Sequence, residues 1–241
     1  LVDRYVSDLV FVVTEIASSF ATDTARFRLK NAFSAEAVDI GSSMDGVLHV
    51  EPTFRVSTTI LEHRTPCLAF AIEEAAHVNV WKNRLTEMGL PVGPWLHELK
   101  RAVIENRPGD HLIRIGARPT SPDMRELPLA TLRSVLTVTP GQKVAYVTDA
   151  ADTPANREAI IRLAQNADLL FIEAAFAQTD TALAAERAHL TTAAAGSLAR
   201  AARVRRVEPF HFSPRYSGQE ARLLDEVITA FTGQTAEGAG S

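Results

Sequence analysis

At 241 residues with 46% hydrophobic content, the chain suffices for one large domain or two small ones with a packed core. Its formal charge of −4, from 25 Lys and Arg against 29 Asp and Glu, excludes a globally basic nucleic-acid binder, so any polyanion must be held by a local patch. One cysteine, Cys67, excludes an internal disulfide and a Cys-rich metal site and fits a reducing, cytoplasmic setting, and no apolar run approaches the roughly 20 residues that cross a bilayer.

The chain opens at Leu1 without a Met and enters strand-like sequence at residues 8–16 with no start signal, so truncation is expected. Up to about Phe70 short strands alternate with turns, at 26–29, 46–50 and 54–60, the last alternating apolar and polar around Val56 and Ile60. Residues 81–103 hold two periodic apolar stretches split by Gly89-Leu-Pro-Val-Gly-Pro94, which breaks a helix and makes a rigid turn. A helix-turn-helix projection is predicted there. Residues 104–140 are irregular, with Pro and Arg at 107–110 and 118–122, and strands are expected at 112–115 and 135–138.

The last hundred residues alternate: strand 143–148, helix 154–166, strand 168–172, helices 179–188 and 192–202, strand 204–210 and helix 218–231. That is an α/β layer pattern. Thr153 can cap free backbone N–H groups and Pro154 is harmless at the first helical position, so a helix starts here and turns Ile160, Ile161 and Leu163 to the sheet. Residues 232–241 are Gly, Ala, Thr and Gln with little to bury, and a disordered tail is predicted.

Three polar residues end predicted buried strands: Asp149 after Val144-Ala-Tyr-Val-Thr148, Glu173 after Leu169-Leu-Phe-Ile172, and His211 after Val207-Glu-Pro-Phe210. In open α/β sheets ligands bind at that edge. One carboxylate there is as readily a helix cap, but Asp, Glu and His on three strand ends point to a binding edge. His63 ends the 54–60 strand and opens the loop His63-Arg-Thr-Pro-Cys67; a lone histidine beside a strand is more often a surface or core residue than a ligand.

Together these segments resemble a known family. Leu61-Glu-His63-Arg-Thr-Pro-Cys-Leu-Ala-Phe70, the Gly89–Pro94 turn with Trp95-Leu96 and Leu99-Lys100, Val147-Thr-Asp149, Ala167-Asp-Leu-Leu-Phe-Ile-Glu-Ala174, His189-Leu-Thr-Thr192 and His211-Phe-Ser-Pro-Arg-Tyr216 occur in the order and spacing of ribonuclease Z and its relatives. The likeness covers about residues 54–225. It implies the αββα four-layer sandwich of metallo-β-lactamases, N-terminally incomplete, as a single domain over 1–231 with 81–103 as a projecting substrate arm. It also implies that His63, Asp149 and His211 are metal ligands for two zinc ions, Asp149 bridging them, with His189 acting near the scissile phosphate and Glu173 orienting it. Lys82, Arg84, Lys100 and Arg101 would meet phosphates on the arm, and Arg215 would pair with a carboxylate to fix the His211 loop. A homodimer and RNA, specifically a tRNA precursor, as substrate complete what the family implies.

The chain departs from the family in three places. The signature His-x-His-x-Asp-His is absent from these 241 residues, Ile172 stands where a histidine often precedes the glutamate, and Thr148 stands where glycine precedes the bridging aspartate. As written, the chain is expected not to complete a dinuclear site alone. The function implied is metal-dependent phosphodiester hydrolysis that removes tRNA 3′ trailers. The alternatives are hydrolysis of small esters, lactones, arylsulfates or cyclic nucleotides on the same fold, and a non-catalytic binding relative.

Overall fold

A computed structural model describes residues 9–17, 19–38, 46–116 and 124–233. The chain divides into two compact units, residues 1–73 with 143–241, and residues 74–142. The expected loop at 118–122 and residues 234–241 of the expected tail lie outside the described residues, whereas Thr232 still closes a helix. Among the described residues no helix is long and apolar enough to cross a membrane.

In the first unit, β1 (Val10–Ile16), β2 (Thr22–Arg28) and β3 (Ala35–Ala37) form an antiparallel sheet in that order. Next come β4 (Val47–Val50), β5 (Phe54–Leu61) and β6 (Cys67–Glu74). The second unit begins with β7 (His77–Val80), α1 (Lys82–Glu87) and α2 (Trp95–Ile104). Gly89 between the helices takes φ +61, a left-handed turn that glycine enters at no steric cost, and the Trp95 indole N–H donates to the Pro91 carbonyl. The predicted pair of helices is therefore present. β8 (Leu112–Ile115) pairs antiparallel with β9 (Arg125–Pro128), and after α3 (Leu129–Leu132) strand β10 (Leu136–Thr139) pairs antiparallel with β7. Leu85, Leu99, Ile113, Leu129 and Val135 are fully buried in this unit's own core.

The chain then re-enters the first unit through β11 (Lys143–Val147), α4 (Pro154–Ala164), β12 (Leu169–Glu173), α5 (Thr181–Arg187), α6 (Thr192–Ala201), β13 (Val207–Phe210) and α7 (Glu220–Thr232). One six-stranded sheet results, ordered β13-β12-β11-β6-β5-β4. β11, β12 and β13 run parallel, because helical crossovers return the chain to the same edge each time, and β11 lies antiparallel to β6. Alternation then decides the two faces. Ala69, Ala71, Ala145, Val147, Leu170 and Ile172 are buried beneath α4, α6 and α7 together with Ile160, Leu198 and Val227. Thr153 caps α4 through the Asn156 N–H, as its sequence predicts.

Candidate functional site

The carboxyl ends of the parallel strands open onto one pocket. Asp149 lies just past β11, Glu173 ends β12 and His211 follows β13; His189 comes from the link between α5 and α6, and His63 from the end of β5. Asp149 and His211 adopt φ +45 and +63, and Ala188, before His189, adopts +61. Side chains other than glycine rarely take this conformation, and strain of ~1–3 kcal/mol per such residue persists where surrounding structure enforces it, commonly at functional sites.

Glu173 ties these segments together. Its side chain is fully buried, accepts the Ala150 N–H at 2.7 Å, and lies 3.1 Å from His189 Nδ1 through both carboxylate oxygens. Burial pushes its carboxyl up to about 7, against the opposing pull of the Ala150 hydrogen bond. Burial and the neighbouring His63 lower the His189 imidazole. Burial thus disfavours the charged form of both groups where they meet. Asp149 Oδ1 sits 3.3 Å from His211 Nδ1 and 4.0 Å from His189 Nδ1.

His63 is oriented from behind. Its Nδ1 lies 2.8 Å from the Ala188 carbonyl, and since a carbonyl only accepts, Nδ1 donates there and Nε2 is the ring nitrogen left for a ligand. The neighbouring Glu62 backbone is clamped by Asn156, buried on α4, whose amide accepts from the Glu62 N–H and donates to the Glu62 and Ala151 carbonyls. Asn156 was not marked by any motif. Its signal is a polar residue four positions before Ile160 on the helix's apolar face.

Two overlapping sets, His63–Asp149–His189 and Glu173–His189–His211, each place their ligand atoms within 4.8 Å of one another. Imidazole and carboxylate donors so grouped, with the His63 ring fixed by a carbonyl on its far nitrogen, fit a zinc site. His189 is the member common to both sets.

The site opens into a cavity of about 640 Å³ lined by His63, His189 and His211 with Arg64, Arg187 and Arg215. Arg64 and Arg187 carried no sequence signal, since exposed arginines occur everywhere. Among the described residues Arg215 pairs with no carboxylate; its guanidinium lies 5.7 Å over the Tyr216 ring, and the Tyr216 hydroxyl donates to Asp180 instead. The buried tyrosine thus fixes the His211 loop, because its hydroxyl needs a partner and the exposed guanidinium does not. Lys100 and Arg101 belong to the second unit, on α2, while Arg84 donates to the Ser134 carbonyl and stacks on Trp81.

Residues 98–212 match the family model described as the beta-lactamase superfamily domain. Ribonuclease Z of Crocosphaera subtropica is 34% identical over 190 residues, 76% of this chain and 53% of that protein. Ribonuclease Z of Deinococcus radiodurans is 32% identical over 204 residues, 85% of this chain and 58% of that protein. The chain therefore spans about half the length of the curated relatives it matches. The crystal structure of a metallo-beta-lactamase fold protein from Bacillus subtilis aligns at TM-score 0.43 and 16% identity, covering 80% of this chain and 49% of that one.

Proposed function

Because this chain has the fold of the beta-lactamase superfamily and resembles ribonuclease Z over three quarters of its length, we propose that it is the proton-transferring part of a metal-dependent phosphodiester hydrolase that cleaves 3′ trailers from tRNA precursors. Its support is the convergence of His63, Asp149, Glu173, His189 and His211 on one sheet edge from segments up to 148 positions apart. His63, Asp149 and His211 would hold the metal, taken as zinc. Two such ions, when bound, polarise a phosphodiester and lower the pKa of water. His63 offers Nε2 because Nδ1 is spent on Ala188, and Asp149 offers a carboxylate beside His211. Proton transfer falls to His189. With Nδ1 against Glu173, its Nε2 can deliver a proton to the leaving alkoxide, and the buried carboxyl keeps that ring in one tautomer. The same reading takes the cytoplasm as the compartment, a homodimer as the assembly, and Lys100, Arg101 and Arg215 as contacts to RNA, with 81–103 as the arm of a single domain.

The test is zinc content by elemental analysis with hydrolysis of bis(p-nitrophenyl) phosphate and of a 3′-extended tRNA. It uses the 241-residue chain and the chain joined to a segment bearing His-x-His-x-Asp-His. Three ligands shared between two ions leave both short of the usual four, so the chain alone should hold zinc substoichiometrically and the joined chain two ions. Asp149→Ala should abolish both hydrolyses, and His189→Ala should lose about 10²-fold or more in turnover. A joined chain that holds zinc but cleaves neither substrate would favour the small-ester or binding-only readings.

A further inference from the structure

The pocket beside the proposed metal residues has two chemistries. Its floor is apolar, made by Phe176, Leu183 and Phe212, and its rim carries Arg64, Arg187 and Arg215 with no carboxylate among the lining residues. In a chain whose formal charge is −4, such a rim is a local feature and not a sample of the surface. Arg64 and Arg187 come from different segments, the loop before β6 and the end of α5, yet meet at one residue. Arg64 donates to the Glu186 carbonyl at 3.4 Å, and Arg187 lies 3.7 Å from the Glu186 carboxylate. Both contacts are long and exposed, so neither holds its guanidinium against a phosphate, which offers charge-assisted, bidentate bonds.

A free phosphate would have no use for the apolar floor, and an apolar ester no use for three arginines. A nucleotide satisfies both, and about 640 Å³ lies within the range of small-ligand sites. We propose that this pocket is a nucleotide subsite, in which Arg64 and Arg187 hold the phosphate next to the one cleaved and the Phe176–Phe212 floor takes the base. Cleavage rests on the hydrolase reading above; the binding does not.

Binding is therefore measured apart from hydrolysis, by fluorescence anisotropy of a labelled single-stranded RNA 12-mer with the metal-free 241-residue chain, from 25 to 200 mM KCl. Each phosphate contact on a single strand contributes ~0.7 to the slope of log affinity against log salt. Arg64→Ala with Arg187→Ala should flatten that slope by about 1.4 and weaken binding about tenfold at the lowest salt, whereas Arg64→Lys with Arg187→Lys should keep the slope. Phe212→Ala should weaken binding about fivefold or more with the slope unchanged, because stacking is not a counterion effect. Arg162→Ala on α4, paired with Glu158, serves as the surface control and should change nothing. An RNA affinity and slope unmoved by the double alanine variant, or no binding by the parent chain, overturns the subsite. Binding as expected without cleavage by the zinc-loaded joined chain removes the hydrolase reading and leaves the subsite standing.

Discussion

Glu173 has no solvent exposure, yet the β11 end, the β12 end and His189 all meet on it. Its carboxyl is raised from 4.5 to about 7, chiefly by burial, so the native chain holds a proton that the unfolded chain releases earlier. The stability this contributes is complete below about pH 4.5 and is lost as pH rises through about 7. At 1.36 kcal/mol per pKa unit, the loss is about 3 kcal/mol. His189, lowered by burial, works in the opposite sense: its contribution is present above its ordinary 6.5 and fades as pH falls. Glu173→Gln keeps an acceptor for the Ala150 N–H and removes the titration. Urea unfolding of the metal-free chain should therefore show parent stability falling between pH 5 and pH 8 by about 3 kcal/mol more than that of the glutamine variant. Identical pH dependence in the two proteins would mean that Glu173 is ionised throughout.

At the scale of elements, the close approach of α6 to α7 anchors the His189 segment. Thr191 caps α6 through the Ala194 N–H, and Thr192 donates to Glu226 on α7. Gly196 lets the helices touch: a Cβ there would lie 2.2 Å from the Val227 carbonyl oxygen and 2.8 Å from Ala230 Cβ. Gly196→Ala gains ~1 kcal/mol of helix propensity, but overpacking costs ~1–3 kcal/mol, and the nearest obstacle is backbone that cannot rotate away. With the cost at its upper end, a net loss of about 2 kcal/mol by urea denaturation is expected, and a variant as stable as the parent would refute the packing. The helices and parallel strands of this region were legible because five-residue apolar runs alternate with capped periodic segments. β3, β7 and β9 were not, since strands of three or four residues are decided by distant partners, as β9 is by β8. The candidate site divides the same way. Asp149, Glu173 and His211 could be read from strand ends, whereas Arg64 became visible as a pocket residue only when folding brought it to the Glu186 carbonyl, beside Arg187.

For the whole molecule, the six-stranded sheet has one face under helices and another that is apolar and open. Ile72, Val144 and Tyr146 point away from the helices and are 49%, 36% and 43% exposed, and Tyr146 stacks on Phe210 with ring centroids 5.1 Å apart. Register makes this one surface, because Val144 pairs with Ile72, and Tyr146 with Phe70 and Phe171. A four-layer sandwich covers such a face with a second sheet about 10 Å away. With these side chains exposed, the 241-residue chain should present an apolar patch of the kind that binds dye or associates. It should bind the dye ANS and show concentration-dependent association by sedimentation velocity. Ile72→Thr with Tyr146→Thr should lower both several-fold. Threonine keeps the strand preference, and side chains already about half exposed give up little burial, so the urea midpoint should barely move. Because the substitutions are confined to one face, a drop in dye binding assigns the patch to that face and not to the apolar side chains exposed on the second unit, such as Val92 and Ile104. Dye binding undiminished by the double variant would show that this face is not the exposed patch.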